Sequence, residues 1–465
     1  MKNYLSLSLI LGLSVAAAPL AAQNAAPQDL LSQAEGESEE RTEMDVPTSQ
    51  AEGVEQAFAG TEFVSEPVMQ DLSPPVAEWS IDAAGQLAFA LETVDREGLN
   101  PADYEIAALR AAVIAGPSPQ LDEIASRNFI WLVEDMRDGR TPMSSRKQWF
   151  VVDPDPDRYR SRDLLAQVSQ TGDVVDALNL VRPTHPDYQR LVEALADTPQ
   201  AEAGRRKLIM ANLDRWRWLP RDLGNQYLLT NVPEFQLRLT VNDKIISTYR
   251  TIVGKPGRNA TPQLAEIVEG VVFNPTWTVP QSIVKGEGLG QKVLNNPKWA
   301  QSQGYKATKG AGGWIGVVQQ PGPTNSLGMM KLDMPNPHAI FLHDTPSRHL
   351  FANDMRALSH GCIRTERALE LAITMAIVGK GATKEEAIEI VTSGDYTKVP
   401  MQREFPVYIT YFTMASDIDG ELRTFKDIYG RDEPVLAALD QPRESNRARK
   451  TSEEVVEIID DLQTT

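Results

Sequence analysis

One cysteine, Cys362, occurs in this chain, in the run Ser359-His360-Gly361-Cys362-Ile363-Arg364. A thiol attacks carbonyl carbon as its thiolate, so it needs positive surroundings and a base to remove its proton. Arg364 and His360 supply local positive character. Thr365 reads as the N-cap, and Glu366 as the first turn, of a helix continuing through Arg367 to Val378. That would set the positive end of a helix dipole beside the sulfur. Gly361 permits a sharp turn, and its N–H and that of Cys362 suit a developing oxyanion. The pattern points to acyl transfer by cysteine.

The base has few candidates. Four of the five histidines fall between His338 and His360, so the imidazoles cluster around the thiol in sequence. His343 ends the apolar run Ala339-Ile340-Phe341-Leu342, where a strand over 338–342 would hold its ring at a sheet edge. His338 caps that strand, and His349 sits in a loop. His360 orients neighbours or substrate. Asp344, through its carboxylate or through the backbone carbonyl next to His343, is the candidate for orienting the base. Arg364, Trp277 and Ser359 are candidates for binding substrate, although Arg364 would equally brace the loop and Trp277 would equally join a core. Two rival readings stand beside this one. A lone cysteine is often an inert buried side chain, and three histidines with a cysteine suggest zinc. The His343–His349 and His360–Cys362 spacings match no standard ligand pattern, so no metal is expected.

These residues need a framework. Lys2, the apolar run Leu5–Ala18 and the small residues up to Ala22 read as a cleaved secretory signal over 1–22. The next stretch, 23–78, reads as an acidic linker. From Asp29 to Glu78 it holds 13 acids against one Arg, too polar and self-repelling to build a core. Apolar residues at three- and four-residue spacing then predict helices over 79–210, including Ile81–Arg96 and Leu121–Met136. His185, in a Pro-flanked loop there, is expected to meet solvent. Short β-rich runs follow within 211–432: Gln226–Val232, Glu234–Val241, Lys244–Val253 and Leu264–Phe273. Asp419-Gly420 marks a hairpin between Val407–Ala415 and Leu422–Asp427. A Gly-, Lys- and Gln-rich insertion at about 281–320 is a candidate lid. The tail, 433–465, is charged, with a loose helix. Trp216 and Trp218, alternating with arginines, suit packing between domains.

The net charge of -18 disfavours nucleic acid and anionic membrane as partners. An exported protein with a single cysteine has no intrachain disulfide, so the thiol is either buried and inert or kept for chemistry.

The run Ser359 to Arg364, with His343 ahead of it, resembles the signature of the L,D-transpeptidases of bacterial peptidoglycan. The stretches Asn212–Pro220, Phe273–Pro280, Pro321–Gly328, His338–Arg348 and Tyr429–Asp432 are similar to the large, scaffold-bearing subfamily. The likeness covers Asn212 to Asp432 and is weaker through the helical region. It implies an α+β chain: a helical scaffold domain, then a mixed β-sandwich catalytic domain with a short lid. It also implies a periplasmic enzyme without cofactor, joining donor and acceptor stem peptides in a 3-3 cross-link through a thioester on Cys362, with D-alanine released. Carbapenems would acylate the same sulfur. A carboxypeptidase that trims tetrapeptides, an enzyme that attaches protein to peptidoglycan, and a non-catalytic wall-binding protein are the alternatives. The peptidoglycan-binding insert common in that subfamily has no room here, because Leu195 passes quickly to Lys207.

Overall fold

The computed structural model describes residues 75–444 and 448–455. The expected signal segment, most of the acidic linker and the end of the tail lie outside them.

Eight helices cover the first part of the described chain: α1 Ile81–Glu92, α2 Ile106–Ala115, α3 Pro119–Asp138, α4 Asp155–Arg158, α5 Ser161–Thr171, α6 Val174–Val181, α7 Pro186–Asp197 and α8 Ala203–Arg217. Their starts follow from side chains able to satisfy the free N–H groups of a first turn. Ser80 accepts from Ala83 N, and Ser118, ahead of Pro119, accepts from Leu121 N. In α1 the buried residues are Ala83, Ala84, Leu87, Ala88 and Leu91, one stripe of a 3.6-residue repeat. That stripe packs with Leu121, Phe129, Val133 and Val168 in a helical core. Residues 198–202 alone join α7 to α8.

The β region contains β1 Gln226–Asn231, β2 Gln236–Val241, β3 Lys244–Gly254, β4 Leu264–Ile267, β5 Gly270–Phe273, β9 Met330–Asp333, β10 Leu342–His343, β11 Ala357–Ser359, β12 Ile363–Thr365, β13 Thr397–Pro400 and β14 Pro406–Thr410. They hydrogen-bond in the order β13-β5-β9-β10-β12-β3-β2-β1-β14-β4, with β11 also on β3. The eleven-residue β3 is long enough to link both halves. Leu228, Leu237 and Leu239 from one half share a core with Val271, Phe273, Met330, Leu332 and Leu342 from the other. The sheet therefore curls over one apolar interior, which α12 Ala368–Val378 closes with Leu371, Ala372, Met375 and Ala376. The chain is α+β, helical first and β second. The expected hairpin forms as β15 Met414–Ser416 against β16 Leu422–Thr424.

Three local expectations change. The insertion is more than a lid loop. α9 Gln281–Gly286, α10 Leu289–Asn295 and α11 Pro297–Ser302 pack with β6 Trp277–Thr278, β7 Tyr305–Lys309 and β8 Ile315–Gln319. β8 pairs with both other strands, and Val279, Val284, Leu289, Val293, Ala300 and Val317 give this cap a core of its own. The tail is anchored as well. After α14 Asp432–Leu439, Arg443 binds Glu134 at 2.7 Å and Asp135 at 3.0 Å, with its guanidinium over Trp131. His185 does not simply meet solvent: its Nδ1 accepts from Asp187 N at the start of α7, and its ring stacks on Trp216.

Helical and β regions meet at a junction rich in buried charge. Asp214 accepts from the N–H groups of Arg140 and Thr141, the Thr141 hydroxyl and Trp218 Nε1. Burial pushes its carboxyl up, yet Arg146, Arg217 and these hydrogen bonds outweigh that and hold it below the usual range. Trp216 stacks on Phe412, and Trp218 meets Trp149 edge-on at 5.3 Å. The Arg/Trp run is thus domain packing, as its composition suggested.

Candidate active site

Cys362 does not precede a helix. It precedes β12, which lies between β10 and β3. Thr365 ends that strand, buried, and α12 begins only at Ala368 after Arg367 takes a left-handed conformation at φ 49°. Pairing on both sides takes residues 363–365 into the sheet, where tertiary hydrogen bonds override the local capping signal. The expected dipole at the sulfur is absent. Burial instead pushes the thiol up, although the Phe341 backbone, Lys331 and Arg364 pull the other way. The resting sulfur is a neutral thiol, half-buried, within hydrogen-bonding reach of the Ala339 carbonyl at 3.7 Å.

His343 lies on the adjacent strand. β10 and β12 run parallel, with Leu342 opposite Ile363, His343 opposite Arg364, and Ile363 N donating to Phe341 O. This sets Cys362 level with Phe341, two residues from the imidazole on a strand whose alternate side chains share a face. Both groups feel the same two cations, Arg364 and Lys331. The His343 ring is buried, and burial, with Arg364 next, lowers its pKa to about 3. Its Nδ1 is 2.5 Å from the Asp344 carbonyl oxygen. A carbonyl only accepts, so Nδ1 carries the proton and Nε2 keeps its lone pair. The imidazole is therefore oriented as a neutral base.

The other named residues take distinct places. Asp344 holds the His343 ring through its backbone carbonyl. Its carboxylate accepts from Met329 N and reaches Arg348. Gly328, at φ 63°, is the residue that lets that carboxylate come so close to the chain. Gly361, at φ 128°, makes the turn before the thiol. Its N–H donates to Ser359 Oγ, which itself donates to the Cys362 carbonyl at 2.6 Å. The Gly361 N–H is thus engaged inside the loop, and Ser359 is buried and tightens the loop from within. Arg364 occupies β12, and its charge pulls both His343 and Cys362 down. Trp277 lies in the cap sheet, packed on the cap core. His360 reaches out of the loop to the cap, with Nε2 3.6 Å from Glu287 Oε1.

His338 and Ala339 are not strand. Ala339 has φ 49°, in a turn held by Asn336, whose Oδ1 accepts from Ile340 N and whose Nδ2 donates to Ile340 O. Among the described residues no three His, Cys, Asp or Glu side chains are placed to hold a metal.

Several contributors were not singled out from the sequence as site residues. Thr261 Oγ1 donates to Gly361 O at 2.7 Å and accepts from Gly254 N. Tyr429 OH donates to Gly254 O. Lys331 comes from β9, with its ammonium over the Phe341 ring. Glu287 follows α9 of the cap. Each is distant in sequence from Cys362; Tyr429 opens the stretch Tyr429–Asp432 already noted, and the others belong to no spacing pattern.

The pattern of the YkuD family, the L,D-transpeptidase catalytic domain, matches residues 225–400, and that of a scaffold domain matches residues 78–195. A curated protein from Haemophilus influenzae described as a putative L,D-transpeptidase is 31% identical over 247 residues, 50% of this chain and 49% of that protein. The chain spans about half the length of that relative. A solved structure described as that of an Ldtfm-avibactam carbamoyl enzyme overlaps 41% of this chain and 51% of its own, at 11% identity and a TM-score of 0.20, which is too loose to bear on the fold.

Proposed function

We propose that this chain, which carries an L,D-transpeptidase catalytic domain beside a scaffold domain, joins peptidoglycan stem peptides by acyl transfer through Cys362. The observation that carries this reading is the His343 imidazole, neutral, with Nδ1–H tied to the Asp344 carbonyl, on the strand beside the one that Cys362 opens.

In the first step Nε2 of His343 takes the thiol proton as the sulfur attacks the carbonyl of the third stem residue. Moving the proton with the attack suits two groups that rest neutral. The tetrahedral oxyanion collapses, the C–N bond to the terminal D-alanine breaks, and His343 returns the proton to the leaving amine. A thioester on Cys362 remains. The side-chain amine of a diamino acid on a second stem then attacks it, gives up a proton to His343, and the C–S bond breaks to restore the thiol. The product is a 3-3 cross-link. Water in place of the amine would give the tripeptide of a carboxypeptidase, and a protein amine would give wall attachment. Carbapenems would acylate the same sulfur. No step calls for a metal or cofactor. The leader-like residues 1–22 support action in the periplasm.

Incubating the purified protein with disaccharide tetrapeptide tests the reading. Cross-linked dimers with free D-alanine are expected, and tripeptide alone means hydrolysis. A Cys362→Ala variant should form neither. Undiminished dimer formation by that variant would sink the proposal.

A further inference from the structure

The segment Lys147–Val151 belongs to the helical half of the chain, yet it runs beside the β domain. Phe150 N donates to Gln263 O and Gln263 N to Gln148 O, both at 2.9 Å, and Gln263 Nε2 reaches Lys147 O. Extended backbone sends successive side chains to opposite sides. Trp149 and Val151 enter the junction core, where Trp149 meets Trp218. Phe150 points the other way and packs on the catalytic core.

Two routes lead from this segment to the sulfur. On the first, the Phe150 ring lies 4.2 Å from the His338 ring, centre to centre. The next residue, Ala339, stands at φ 49° with its carbonyl 3.7 Å from Cys362 Sγ. A side chain bearing Cβ occupies that region sparsely, and holds it where surrounding contacts impose it. Phe150 is such a contact, pressed on the buried His338. On the second route, Gln263 is two residues from Thr261, whose hydroxyl binds the Gly361 carbonyl at 2.7 Å. Arg431 ties the two together, binding both Gln148 and the Thr261 carbonyl.

We infer that the scaffold segment Lys147–Val151 is built into the active-site wall, and that Phe150 is a positioning residue which sets where the Cys362 thiol sits by bracing the His338–Ala339 turn. The inference rests on Cys362 being the nucleophile. It gives the helical domain a role in the chemical step itself, beyond tethering. The segment acts through the backbone on both sides of the sulfur.

The test uses the full chain with Phe150→Ala, Phe150→Leu and, as a control, Phe129→Leu, a change inside the helical core away from the segment. Two readouts are followed: D-alanine release from tetrapeptide, resolved into kcat and KM, and the rate of Cys362 alkylation by iodoacetamide across pH. A misplaced nucleophile lowers rate by large factors while leaving binding alone. Phe150→Ala should lower kcat about tenfold or more with KM within about twofold, and should change the alkylation profile. Phe150→Leu, which keeps bulk against His338, should recover most of both. Phe129→Leu should lower the melting temperature and leave both readouts unchanged. The inference is overturned if Phe150→Ala matches the unaltered protein in both, or if Phe129→Leu reproduces its losses. Should the unaltered protein release no D-alanine, the proposed reaction fails, and the alkylation profiles still decide the placement of the thiol.

Discussion

The junction and the candidate active site bury ionisable groups in opposite ways. At the junction Asp214 sits among Arg146, Arg217 and four hydrogen-bond donors and stays charged. At the candidate active site His343 is buried and Cys362 half-buried beside cations, with no carboxylate among the groups that shift them. They stay neutral. Burial alone does not decide ionisation; the sign and closeness of the neighbours do. Opposite charge offsets desolvation at the junction and makes a rigid brace. Like charge adds to desolvation at the imidazole and leaves it an unprotonated base.

The largest effect is expected where a buried charge loses its partner. Asp214→Ala strands Arg217 and the donors around it and should cost about 3–5 kcal/mol, read by urea unfolding. A loss of under about 1 kcal/mol would show that the junction is not held by its charges.

The next effect is a pH dependence. The folded pKa of His343, about 3, lies below the value of about 6.5 in an unfolded chain. The unfolded state therefore binds the proton more readily, so this contribution is complete above pH 6.5 and fades as pH falls towards 3. At pH 4 the difference is about 2.5 units, or about 3 kcal/mol at 1.36 kcal/mol per unit. Stability measured at pH 7 and pH 4 should converge between the native chain and His343→Asn by about that amount. Parallel pH curves would mean that the ring is solvated and protonates freely.

A smaller effect concerns the thiol. Because burial raises Cys362, its alkylation rate should climb only above the ordinary thiol value of about 8.5, with no plateau at neutral pH. Arg364→Gln removes a cation that lowers both groups. It should shift the thiol profile further up. A plateau below pH 7 would mean a preformed thiolate and would erase the contrast between the two regions. Smallest of all is the exposed Arg250–Glu366 pair. Glu366→Gln should change stability by less than about 1 kcal/mol, and a larger change would show that solvent screening is incomplete there.

Much of the fold was legible because its signals are local. Helix stripes and the Asp419-Gly420 hairpin each depend on residues within one or two turns of each other. The motif around Cys362 was equally plain, since residue type and spacing carry it. The surroundings of the sulfur were not. Thr365 and Glu366 form a good helix start in isolation, and nothing within ten residues reveals that β10 and β3 claim residues 363–365. The Ala339 turn, the Thr261 hydroxyl and Glu287 are likewise invisible, because each reaches the site from a separate part of the chain. The cap looked like a loop because its short helices and strands are stabilised by one another, not by their own periodicity.

By itself the sequence determined which groups are available: one thiol, a few imidazoles, and the apolar stripes that divide helices from strands. Tertiary structure alone decided their protonation states and their mutual reach. Those depend on burial and strand register, which sum over contacts between residues far apart along the chain. A local pattern names a reactive group; only the folded surroundings set its charge.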